Sequence, residues 1–151
     1  MTARIDMTSR YRRIVRTMTT ATTGHCLCGD VSYRADGPIA DVLHCHCEPC
    51  RRATGNFVAA ARTARSTMTI QGEEHLRWHD LGFSQYGFCA NCGSHLFWVA
   101  ADRPDLYSLQ LGCVDDAAGM DLAGVWFADD SQNHNVLPAD VPHFSGNDAG
   151  A

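Results

Sequence analysis

The chain has 151 residues, 45% of them hydrophobic and 19% charged, which fits one domain with a single core and excludes two ordinary ones. No apolar run approaches the roughly 20 residues that span a bilayer, and no short apolar export segment stands near the start, so a cytoplasmic location away from membranes is expected. The formal net charge of −5 gives no support to a nucleic-acid partner, although Arg4, Arg10, Arg12, Arg13 and Arg16 crowd the first twenty positions. In a reducing compartment eight cysteines point to metal or catalysis rather than to disulfides.

In chain order, the Arg-rich residues 1–21 read as a disordered tail, the folded domain as 22–145, and the small, polar residues 146–151 as a frayed end. Within the domain, Val31-Ser32-Tyr33-Arg34 alternates before the Asp36-Gly37-Pro38 turn and reads as an edge hairpin. Further β-like runs are 68–70, 75–78, 95–99, 106–111 and 125–127. Phe57-Val58-Ala59-Ala60-Ala61-Arg62 suits helix by propensity and strand by length, and the pattern does not separate them.

Three cysteine clusters carry the chemistry: Cys26-Leu27-Cys28, Cys45-His46-Cys47-Glu48-Pro49-Cys50 and Cys89-Ala90-Asn91-Cys92. In a CxC on an extended segment both side chains leave one face, so two thiolates can converge on one ion. In CxxC followed by Gly, a tight turn gathers both sulfurs, with Gly93 supplying the left-handed conformation. One CxC and one CxxC make a closed tetrahedral set of four thiolates, the signature of structural zinc. The middle cluster offers three thiolates within six residues and leaves one position open, as catalytic zinc does. A fourth ligand from Cys113, His44, His46 or another histidine would close it. The spacings do not match four-cysteine iron–sulfur runs. Cys113, in an apolar stretch, reads as a buried small hydrophobe without an assigned role.

These motifs resemble the glutathione-dependent formaldehyde-activating family, which includes the related domain of centromere protein V. The resemblance rests on Gly24-His25-Cys26-Leu27-Cys28-Gly29, on Cys45 through Arg51 followed by Thr54-Gly55, and on Phe88-Cys89-Ala90-Asn91-Cys92-Gly93. It covers about 24–128. It implies an all-β fold of the β-tent type, which tips 57–62 toward strand. It also implies two zinc ions per chain, a structural one on Cys26, Cys28, Cys89 and Cys92 and a catalytic one on Cys45, Cys47 and Cys50. The implied activity joins glutathione to formaldehyde or cleaves such an adduct. Where the family carries a Pro-Trp-like element near the end, this chain has Ser131-Gln132-Asn133-His134-Asn135.

Charge gives an independent argument for thiol chemistry. Zinc with three thiolates is formally anionic, hence a weak polariser of carbonyls and water, and a substrate thiol suits its open position better. The expected partners are therefore a small-molecule thiol and an aldehyde, with a homo-oligomer also allowed. Arg51, which directly follows a ligand, is a candidate to offset the anionic centre in catalysis or to contact a glutathione carboxylate, and Arg52 reads as a solvated arginine. His46 and Glu48 stand between ligands and could move protons. Trp78, Phe83, Tyr86 and Trp98 are candidate lining residues. The alternative reading is a non-catalytic interaction module of the centromere protein V type.

Overall fold

A computed structural model describes residues 15–16, for the backbone alone, and 21–40 and 42–146 with their side chains. Val15–Arg16 (β1), inside the segment expected to be a tail, pairs antiparallel with Ile39–Ala40 (β4). The rest of the Arg-rich segment and residues 147–151 lie outside the described residues.

Thr22–His25 (β2), Ser32–Ala35 (β3) and Met68–Gln71 (β7) form an antiparallel sheet in the order β2-β3-β7. The stretch expected to be an edge hairpin is therefore the middle strand. Its second partner stands more than thirty residues downstream, with Tyr33 opposite Ile70, and no local signal reports such a pairing.

Seven strands build the larger sheet: Val42–Cys45 (β5), Val58–Ala64 (β6), Leu76–Asp80 (β8), Ser84–Cys89 (β9), His95–Ala100 (β10), Leu106–Gln110 (β11) and Leu122–Trp126 (β12). Their order is β12-β5-β6-β11-β10-β9-β8, antiparallel except for β12 beside β5. Of residues 57–62, undecided by pattern, 58–62 enter strand β6 and Phe57 stands just before it. Among the described residues the fold is all-β, with one short α-helix, Glu48–Thr54 (α1), between β5 and β6.

Period-two alternation gives the large sheet two different faces. Ala61, Leu109, Phe97 and Val125 are buried on one face, where Val31, Tyr33, Ala35 and Met68 of the smaller sheet and its loop supply much of the opposing core. The Tyr33 and Phe97 rings meet edge-on at 5.2 Å. A register shift between His95 and Phe97 lets both Leu96 and Phe97 enter this core. The other face carries Val58, Ala60, Arg62, Trp98, Ser108 and Gln110 and lines a cavity instead.

Phe97 is fully buried between Tyr33, Trp78 and Tyr107. Phe97→Ala is expected to destabilise the domain by about 3–5 kcal/mol, read as a shift of the denaturation midpoint. A midpoint unchanged within error would contradict this packing.

Candidate metal centre

All eight cysteines are free thiols, and seven gather into two groups whose sulfur atoms lie within 4.8 Å of one another. Cys26, Cys28, Cys89 and Cys92 form the first; Cys45, Cys47 and Cys50 form the second.

The first group is built from two facing turns. The CxC lies in the loop between β2 and β3, not on an extended segment as expected: Cys26 N–H donates to Val31 O at 2.9 Å and Gly29 N–H to Cys26 O at 3.0 Å. The sulfurs converge because the chain turns through Gly29, at φ 84°. Gly24 is required for a different reason, since a Cβ there would stand 2.3 Å from Cys113 O and 2.4 Å from the Tyr33 ring. Opposite, Cys89 ends β9, Gly93 N–H donates to Cys89 O at 2.8 Å, and Gly93 adopts the expected left-handed conformation at φ 76°. Ser94 Oγ ties the turns together, accepting from Leu27 N–H at 3.0 Å and from the Cys92 thiol at 3.3 Å. Val31 N–H points at Cys26 Sγ, 3.3 Å away.

The sulfur separations are 3.5 Å from Cys26 to Cys28 and 3.7 Å from Cys28 to Cys89. Tetrahedral zinc with bonds of about 2.3 Å spaces its sulfurs by about 3.8 Å, whereas a disulfide needs about 2.05 Å. The donor set fits a four-thiolate zinc site.

The second group forms where β5 runs into α1. Cys45 ends the strand, Cys47 is the N-cap, and Cys50 lies three residues on in the first turn, so the helix folds its sulfur back beside the other two. Pro49 stands in the first turn and Gly55, at φ 81°, closes the helix with its N–H on Arg51 O at 2.8 Å. Cys47 is pulled down to about 3 by hydrogen bonds from Cys45 and then Cys50, and Cys45 is pushed up by the same contacts. For Cys50 the bond to Cys45 acts downward, but Cys47 and burial prevail and raise it to about 11. Three sulfurs that converge this closely suit a cation that takes the place of their protons.

The side chains proposed to close this set do not reach it. His44 and His46 point to the opposite side of the strand and pack on Phe57, with ring centroids 4.4 and 4.9 Å away. Burial lowers both imidazoles. His46, a candidate proton carrier by its place between ligands, is only 3% exposed. Cys113 lies near the first group instead, donating to His95 O at 3.1 Å. Glu48 is paired with Arg52 at 2.8 Å on the outer face of α1, and neither they nor Arg51 line the cavity.

Cys45, Cys47 and Cys50 open onto a cavity of about 440 Å³. Tyr86 from β9 reaches across it and donates its hydroxyl hydrogen to Cys50 Sγ at 3.3 Å. Burial first, then that bond, holds the phenol well above its ordinary range, so it stays a donor. Trp98, Phe83, Trp126 and Phe127 supply aromatic wall; Arg62, whose guanidinium lies 5.1 Å over the Trp126 ring, and Arg103 add positive charge. Of the four aromatics singled out in the sequence, Trp78 is excluded: it covers Gly87 and Phe97 on the other face. Missing from the sequence reading were Arg62, Gln110 and Trp126, whose register opposite cavity-facing neighbours is a sheet property. Trp126 stands directly beside Cys45.

Fold and site define an all-β domain with two cysteine clusters able to hold metal, one held between two turns with Cys28 at the surface and one open to a largely apolar cavity. Residues 21–129 match the family described as glutathione-dependent formaldehyde-activating enzyme, and the chain belongs to that family. It is 27% identical over 85 residues to a Schizosaccharomyces pombe protein described as an uncharacterized lyase, a match covering 56% of this chain and 61% of that one. A crystal structure of a Rhodobacter sphaeroides protein superposes with a TM-score of 0.54 at 24% identity, covering 66% of this chain and 97% of that one, which shows a shared fold.

Proposed function

We propose that this chain is a zinc-dependent carbon–sulfur lyase-type enzyme that forms or cleaves a thiol–aldehyde adduct, with glutathione and formaldehyde or a related aldehyde as the reactants. The observation that carries the reading is the asymmetry of the two clusters. The four-thiol set leaves no room for substrate, while the three-thiol set forms part of a cavity wall. Family membership and the relative described as a lyase support it.

Cys45, Cys47 and Cys50 would hold the zinc, which when bound would supply an open coordination position that favours a substrate thiol in its thiolate form. The chemistry then balances with no further reactant. The sulfur lone pair forms the C–S bond, the carbonyl π pair moves to oxygen, and that oxygen takes up a proton; cleavage is the reverse. Around this centre the protein's own groups orient and exclude. Tyr86 fixes Cys50 through its hydrogen bond. The aromatic wall keeps water from competing for the aldehyde. Arg62 and Arg103 place positive charge where a carboxylate-bearing thiol needs it. The same concave cavity disfavours the reading as a pure interaction module, which needs an exposed face rather than a pocket.

Because thiols and formaldehyde also combine unaided, the test is the exchange rate between free and adducted glutathione, read by NMR line broadening. The protein should speed it at least a hundredfold over background with formaldehyde or a longer aldehyde. A rate equal to background for a panel of aldehydes would contradict the assignment.

A further inference from the structure

We propose that the Tyr86 hydroxyl binds the substrate's oxygen, receiving the charge that develops there as the carbon–sulfur bond forms or breaks. This rests on the adduct reading above and adds the group that handles its oxygen.

The stated chemistry places electron density on two atoms. One is sulfur, which the cysteine cluster accommodates. The other is the former carbonyl oxygen, which becomes an alkoxide when the sulfur attacks and is stabilised by a hydrogen-bond donor aimed at it. Most of the lining cannot do this: Leu43, Val58, Ala60 and Leu106 have only carbon in their side chains, and the indole N–H groups of Trp98 and Trp126 are the other donors besides the polar side chains. The donors on β6 and β11, Arg62, Ser108 and Gln110, stand on strands beyond β5, with Gln110 two strands away, about 10 Å across the sheet.

Tyr86 approaches from another direction. It stands on β9, is only 4% exposed, and among the described residues is the cavity side chain whose hydroxyl reaches a sulfur of this cluster, at 3.3 Å. In the adduct the oxygen is two bonds from the substrate sulfur. A hydroxyl already in contact with one cluster sulfur is therefore within reach of an oxygen two bonds from a thiol held at that cluster. Redirecting its hydrogen from Cys50 to that oxygen needs only rotation about Cζ–Oη. The ring itself is held by the His95 ring, 5.5 Å away, so little reorganisation accompanies the switch.

A purely structural role makes a different demand. If Tyr86 served only to hold Cys50, its hydrogen bond would matter equally for every ligand of the cavity. If it binds the substrate oxygen, it discriminates between ligands that have the oxygen and ligands that lack it.

The test compares the S-hydroxymethyl and S-methyl derivatives of glutathione, which differ by that one hydroxyl, binding to the metal-loaded full chain by calorimetry. Wild type should favour the hydroxymethyl derivative about three- to tenfold. Tyr86→Phe should bind both alike while keeping its metal content and melting temperature, and its turnover should fall about a hundredfold. Should Tyr86→Phe lose metal, 3-fluorotyrosine at this position, which keeps the ring and makes a stronger donor, should widen the preference. Equal affinities in wild type, or a preference that survives Tyr86→Phe, overturns the role of Tyr86 and leaves the adduct reading standing. Binding of neither derivative overturns both.

Discussion

Cys89→Ser is expected to leave the domain without a cooperative melting transition. Cys89 is wholly buried at the end of β9, its N–H and C=O both close the turn that carries Cys92, and its sulfur stands 3.7 Å from that of Cys28. The four-thiol set joins the β2–β3 loop to the β9–β10 turn, which belong to different sheets. Structural zinc in small domains contributes an apparent 10 kcal/mol or more, and a domain of this size is stable by only about 5–15 kcal/mol, so removing one ligand removes much of the margin. Circular dichroism on heating measures it. A cooperative melt within a few degrees of wild type would show that the two sheets hold together without this cluster.

The second large effect is functional rather than structural. Cys47→Ala should abolish adduct formation and cleavage by at least about a thousandfold, since disturbing even the partners of a metal ligand costs about ten- to a hundredfold. The fold should survive. Cys47 is half-buried at the N-cap of a seven-residue helix and its side chain makes no capping hydrogen bond, so the change costs about 1 kcal/mol or less. The contrast between the variants is the informative part: one loses the fold, the other loses turnover and keeps its melting transition. Retention of a tenth or more of the activity in Cys47→Ala would contradict a role for the three-thiol cluster.

What the sequence makes legible follows from the range over which each feature is decided. CxC, CxCxxC and CxxCG are local, and short turns fix where their sulfurs go, so the ligand groups and the left-handed Gly93 can be read directly. Spacing allows the pairing of the first cluster with the third but does not determine it, because Cys28 and Cys89 meet across 61 residues. The local backbone misleads in one place: CxC converges through the turn at Gly29, not through an extended strand. The helix holding Cys50 is only seven residues long, too short for a hydrophobic period, and its signals were Pro49 inside the first turn and Gly55 just past the end. The cavity is the least legible feature. Its wall takes alternate residues from β5, β6, β9, β10, β11 and β12, and only their register decides that Tyr86 and Trp98 face it while Trp78 does not.

The most direct test of two unequal clusters is native mass spectrometry of protein purified without chelator, before and after glutathione is added. Two zinc ions per chain are expected, with one glutathione bound. Replacing Cys45, Cys47 and Cys50 together by serine should remove one zinc and the glutathione while the other zinc stays. Two zinc ions retained in that variant, or glutathione still bound without the three cysteines, would contradict the account.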